Sequence, residues 1–116
     1  MNVFSGKLLK SEMRTYYADH RECADSECWV RFSDGGQTLS VIYDEQDNAQ
    51  AEYEGLDGGG GHYTVKCPHY KGFGTLHLSC DPDGEITLEG WWLQEGSEGM
   101  WRIEVEAEEA ELVVVT

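Results

Sequence analysis

Nowhere does the chain carry an apolar run long enough to cross a bilayer, and its first ten residues, MNVFSGKLLK, hold no apolar core of signal-peptide length. A soluble, cytoplasmic protein without membrane contact is the expectation. Basic residues are scarce, 8 against 23 acidic ones, giving a formal charge of −15 over 116 residues. Such a surface repels nucleic-acid phosphates instead of releasing their counterions, which argues against direct nucleic-acid binding. It attracts basic protein partners, including the nucleic-acid groove of another protein, although solubility is the plainer use of the charge. Long stretches of 3.6-residue period are missing, so helices have little to build on. No Gly-x-Ser-x-Gly or His-Glu-x-x-His motif occurs. The run GGGGH at Gly58–His62 lacks the following helix that a phosphate-cradling glycine loop needs. These absences name no catalytic residue, cofactor or metal.

Glycine clusters are plentiful instead, at short and even spacing: DGG, DGGGG, KGFG, PDG and EGSEG. Short alternating segments between such punctuation are the signature of an all-β meander. Eight strands are predicted: Val3–Leu9, Cys28–Ser33, Thr38–Asp44, Ala49–Gly55, Gly61–Cys67, Gly72–Cys80, Glu85–Leu93 and Met100–Glu106. Met13–Ala18 is a further strand or a continuation of the first, and the LVVV near the C-terminus is available to close the sheet. The charge run EAEEAE at Glu106–Glu111 reads as a solvated linker.

Turn chemistry sets the register of each hairpin. A Gly35-Gly36 type I′ turn pairs Phe32 with Leu39 and Val30 with Val41. A four-residue Pro68–Lys71 loop pairs Val65 with Gly74 and Tyr63 with Leu76. The three-residue loop Pro82-Asp83-Gly84 pairs Leu78 with Leu88, Leu76 with Gly90 and Gly74 with Trp92. A Gly96-Ser97 turn of type II′ pairs Trp92 with Trp101, Gly90 with Ile103 and Leu88 with Val105. All four agree on one apolar face, and a one-residue slip in any of them breaks it. With no helix to cover that face, the expected fold is all-β, a single domain over residues 1–116 in which an eight-stranded antiparallel meander closes into a small barrel. A two-sheet sandwich is the alternative.

In its meander order and glycine-rich hairpins the chain resembles the up-and-down barrels of the lipocalin and avidin type. Its first strand reads FSGKLL where those families carry Gly-x-Trp. The alternation turns Trp92 and Trp101 inward at one barrel end, with Cys28, Tyr43, Ala49, Ala51, Val65, Cys67 and Gly74. Small residues beside aromatic ones give a concave mouth for a small apolar or aromatic ligand, with Tyr43, Ala51, Val65, Gly74, Trp92 and Trp101 as its candidate contacts. The opposing explanation is that Ala and Gly only make room for the two indoles. Phe32, Leu39, Tyr53, Leu78, Ile86 and Val105 are expected as filled core at the other end.

Two features are expected outside. Phe73, Trp91, Leu93, Met100 and Arg102 gather into an apolar patch, with Arg102 stacked on Trp91, and such a patch suits a homodimer interface. A second row holds His62, His77, Glu89 and Glu104, with Glu54 beside His62. Four residues in a row across strands about 4.8 Å apart cannot converge on one ion, so this row reads as a solvated face. Cys67 and Cys80 lie too far apart for a disulfide and read as buried thiols, whereas Cys23 and Cys28 are near enough to meet. Free thiols agree with a reducing compartment.

Overall fold

The computed structural model describes residues 6–45 and 49–105. Eight strands follow in order: β1 Leu9–Tyr17, β2 Cys23–Ser33, β3 Thr38–Asp44, β4 Gln50–Asp57, β5 His62–Cys67, β6 Gly72–Cys80, β7 Ile86–Gln94 and β8 Ser97–Val105. Each pairs antiparallel with the next, and β1 also pairs with β8, so the sheet is a closed barrel. The sandwich alternative is thereby excluded. Two 3-10 turns, Asp34–Gly36 and Pro68–Tyr70, are the helical elements among the described residues, and no helix there is long and apolar enough to cross a membrane.

Alternation along the strands builds the core. Tyr63, Val65 and Cys67 of β5 are buried while His62, Thr64 and Lys66 are exposed, and Trp101, Ile103 and Val105 of β8 continue the same inner face. The registers expected from the Pro68–Lys71 and Pro82–Gly84 loops hold at Val65 with Gly74, Tyr63 with Leu76, Gly74 with Trp92 and Leu78 with Leu88. Val30 with Val41 and Phe32 with Leu39 hold as well. The connection there is wider than a two-residue turn, because Ser33 already pairs with Thr38 across a 3-10 turn.

Two expectations need correction. The first strand of the described residues is Leu9–Tyr17, which takes in nearly all of the expected Met13–Ala18 segment; of the expected Val3–Leu9, residues 3–5 lie outside the described residues, as does the LVVV segment, and Gly6–Leu8 are not strand. The β7–β8 hairpin turns at Glu95-Gly96, both with positive φ (50° and 87°), as a two-residue turn of primed type requires. The register accordingly slides by two residues: Trp92 faces Gly99, Gly90 faces Trp101, Leu88 faces Ile103 and Ile86 faces Val105. A slip of two preserves every inward and outward assignment, which is why the apolar face survives it.

The glycines of this sheet mark where neighbouring strands approach most closely. A Cβ on Gly55, Gly90 or Gly99 would lie 1.6, 1.8 and 1.8 Å from the carbonyl oxygens of Thr64, Thr75 and Tyr16 on the neighbouring strands. Close backbone approach of this kind tolerates only glycine. Across the ladder from two of them stand the tryptophans, Trp101 opposite Gly90 and Trp92 opposite Gly99.

Candidate functional site

Inside the barrel, the expected ligand contacts do come together at one end. Trp101 donates its indole N–H to the Thr75 carbonyl (2.9 Å), and Trp92 donates to the Met100 carbonyl (3.1 Å). The Trp101 ring lies over Gly74, where a Cβ would meet it at 2.9 Å, and the Tyr53 ring lies over Gly72 in the same way. Tyr53 therefore belongs to this end and not to the opposite core: it packs edge-on to Trp101 (centroids 5.1 Å) and stacks with Tyr43 (6.3 Å). Ala51 and Val65 are fully buried beneath them. The small residues seat these large rings.

Three residues that sequence reasoning passed over close the mouth. Gln94 accepts hydrogen bonds from the hydroxyls of Tyr43 (3.2 Å) and Tyr53, and donates to the Glu45 carboxylate (3.2 Å). Tyr17 meets Trp92 edge-on (5.6 Å). The available signal was the two-residue period itself, since Glu45 and Gln94 are the next inward positions after Tyr43 and Trp92. No buried side-chain polar atom among the described residues lacks a hydrogen-bond partner, so this polar lid is internally complete.

Burial of this cluster has a consequence for alkaline stability. Desolvation pushes the phenols of Tyr43 and Tyr53 well above their ordinary range; the charges of Tyr53 and Glu45 add to it at Tyr43, those of Cys67 and Glu45 add to it at Tyr53, where a hydrogen bond with Tyr43 partly offsets it, and burial also raises Tyr63. The unfolded chain releases these protons near pH 10 while the folded chain retains them, so stability is full below that pH and falls as pH rises beyond about 10. Urea midpoints between pH 8 and 11 are expected to drop steeply above pH 10, and less steeply in Tyr43→Phe. A flat profile in the wild type would contradict the buried lid.

Outside, cross-strand neighbours form rows. One is uncharged from Trp91 of β7 through Met100 of β8 and Tyr16 of β1 to Cys23 of β2. Phe73 joins it, its ring 6.0 Å from that of Trp91, and Leu93 stands opposite Phe73. The patch expected at Phe73, Trp91, Leu93 and Met100 is thus one surface, extended by Tyr16. Arg102 does not stack on Trp91. The register slip sets it opposite Glu89, and it pairs with Glu89 (3.4 Å) and Glu104 (3.6 Å).

The next row runs His62, His77, Glu89, Arg102, Arg14, Asp25. Glu104 is displaced from it by Arg102, and Glu54 stands opposite Lys66 instead of beside His62. His62 and His77 stack at 4.3 Å. Among the described residues no group of three or more His, Cys, Asp or Glu side chains is placed to hold a metal ion. Arg14 grips Asp25 with two hydrogen bonds (2.6 and 3.0 Å), which hold that carboxyl below its usual value. All four cysteines are free; Cys28 and Cys67 are buried, but Cys80, expected buried, is exposed because it ends β6 at the barrel rim. Burial pushes the Cys28 thiol up to about 12.

A third row sets three glutamates side by side, Glu27 of β2, Glu12 of β1 and Glu104 of β8. They line a groove of about 690 Å³ along the outside of β8, β1 and β2, together with Arg14, Asp25 and Arg102. Lys10 reaches Glu27 (3.1 Å) and Arg102 reaches Glu104, whereas Glu12 sits between two like charges. No family model, curated protein or solved structure matches this chain.

Proposed function

We propose that this protein is a non-enzymatic binding module that takes a basic segment of a partner protein along the outer groove of β8, β1 and β2. The observation that carries the reading is the Glu27, Glu12, Glu104 row on the groove wall. Like charges directly opposite on neighbouring strands cost stability, and a lysine or arginine laid between them removes that cost. Arg14 and Arg102 are each held by carboxylates on their own barrel, which leaves the groove acidic on balance. The overall charge of −15 draws a basic partner from a distance and speeds its arrival. The meander order is shared with lipocalin and avidin barrels, and the reading takes from that likeness an architecture and no ligand.

Glu12→Gln separates this use from a purely structural one. It is expected to raise stability by about 0.5–1 kcal/mol through relief of cross-strand repulsion. The same change should weaken binding of a labelled tetralysine about threefold or more. Wild-type binding should itself fall more than about tenfold between 0.05 and 0.5 M salt as the charges are screened. Unchanged tetralysine affinity in Glu12→Gln, or affinity indifferent to salt, would remove the groove from the function.

A second reading has a specific observation behind it. Glu45, Gln94 and Tyr43 form a half-buried polar rim above the aromatic floor of Tyr53 and Trp101, and a flat aromatic molecule with a hydrogen-bond donor would enter there by displacing the Gln94 contacts. Its occupant would change the emission of Trp92 and Trp101, which tetralysine at the outer groove would leave nearly untouched.

A further inference from the structure

Along the outer face of β8, Glu98, Met100 and Arg102 follow one another at two-residue intervals. Negative, apolar, positive is an order complementary to itself when reversed. A second β8 strand laid against this one in the antiparallel sense sets Met100 on Met100 and Glu98 on Arg102 at both ends. The parallel sense sets glutamate on glutamate and arginine on arginine, so the charges select one orientation.

The strands on either side widen this contact without adding charge at its centre. Trp91 stands opposite Met100 on β7, and Tyr16 stands opposite it on β1. Leu93 and Phe73 extend the surface beyond Trp91. Met100 is 53% exposed, Tyr16 41% and Leu93 36%, an uninterrupted apolar stripe on a chain of which 27% is charged. Monomeric proteins seldom leave such a stripe bare. We infer that two copies of this chain associate face to face through Phe73, Trp91, Leu93, Met100 and Tyr16, with β8 antiparallel to β8 and Glu98 of each copy on Arg102 of the other. A closed isologous pair is the commonest symmetric assembly. The Glu12 row lies on the far side of Arg102 from Met100, so the pair shares Tyr16 and Arg102 with the groove wall but leaves Glu27, Glu12 and Glu104 uncovered.

Few side chains make the contact and both chains are strongly acidic, so association belongs at tens of micromolar and strengthens with salt, which screens the long-range repulsion. Sedimentation equilibrium at 50 µM in 0.05 and 0.5 M sodium chloride reads it directly. The wild type should approach twice the 13.1 kDa chain mass, more fully at the higher salt. Met100→Glu should sediment as a monomer with an unchanged melting curve. Glu98→Arg and Arg102→Glu alone should each weaken association about tenfold, and the double reversal should restore it to within about threefold. Because Arg102→Glu also faces Glu89 and Glu104, a misfolded variant leaves the decision to Glu98→Arg and Met100→Glu. A wild type monomeric at both salts, a dimer untouched by Met100→Glu and Glu98→Arg, or a folded double reversal no tighter than its parents, overturns the inference.

Discussion

Gly90→Ala is expected to cost about 4 kcal/mol or more, enough to leave much of the chain unfolded at 37 °C. An ideal Cβ at this position stands 1.8 Å from the Thr75 carbonyl oxygen and 2.5 Å from its carbon. Both are backbone atoms of the paired strand, so no rotamer change relieves the clash and β6 must move away from β7. That movement also withdraws the carbonyl that accepts the Trp101 indole N–H. Gly84→Ala is the matched control: its φ of 87° is a left-handed conformation, but nothing lies within 4 Å of the added methyl, so only backbone strain of about 1 kcal/mol is expected. Urea unfolding followed by circular dichroism compares the two. A Gly90→Ala protein within 1 kcal/mol of the wild type would mean that the β6–β7 crossing is not as tight as described.

Trp101→Ala ranks next, at about 3–5 kcal/mol. The indole fills the space over Gly74, packs against Tyr53 and caps Thr75, and none of these neighbours can collapse far into the gap because they belong to a closed ladder. A dry cavity should therefore remain, and an apolar cavity of that kind binds small aromatic molecules. Indole at millimolar concentration is expected to restore part of the lost stability in Trp101→Ala and to leave the wild type unchanged. Stabilisation of the wild type by indole would point instead to an interior with room in it and favour the barrel-mouth reading.

These effects bear on what could be read before folding. Strands β3 and β6 have the limits expected from the sequence, because Thr38–Asp44 and Gly72–Cys80 are bounded on both sides by turn residues. The first strand was hidden by polar residues turned inward: the inward positions of β1 include Ser11, which is buried and donates to the Leu9 carbonyl (3.0 Å), and Thr15. An apolar period of two is hard to see through a serine and a threonine. The β7–β8 register was illegible for another reason. Hydrophobic patterning distinguishes odd slips from even ones, and Glu95 in the left-handed region carries no turn signal of the kind glycine gives. Everything that depends on exact register was lost with it, including the partner of Arg102 and the neighbours of Glu89. The glutamate row needed in addition the closure of β1 onto β8, which brings Glu12 to Glu104. The inward Trp92 and Trp101 were legible while Tyr53 beside them was not, the Gln94 lid was one step of alternation away, and the outer groove required three strands from the two ends of the described chain.

The most direct measurement is a map of amide chemical shifts during titration with tetralysine at low salt. If the outer groove is the working surface, the shifts concentrate at Glu12, Asp25, Glu27 and Glu104 on β1, β2 and β8, the indole N–H signals of Trp92 and Trp101 stay in place, and Glu12→Gln suppresses the response. Shifts centred on Tyr43, Gln94 and the two indoles, or scattered evenly over the acidic surface, would contradict it.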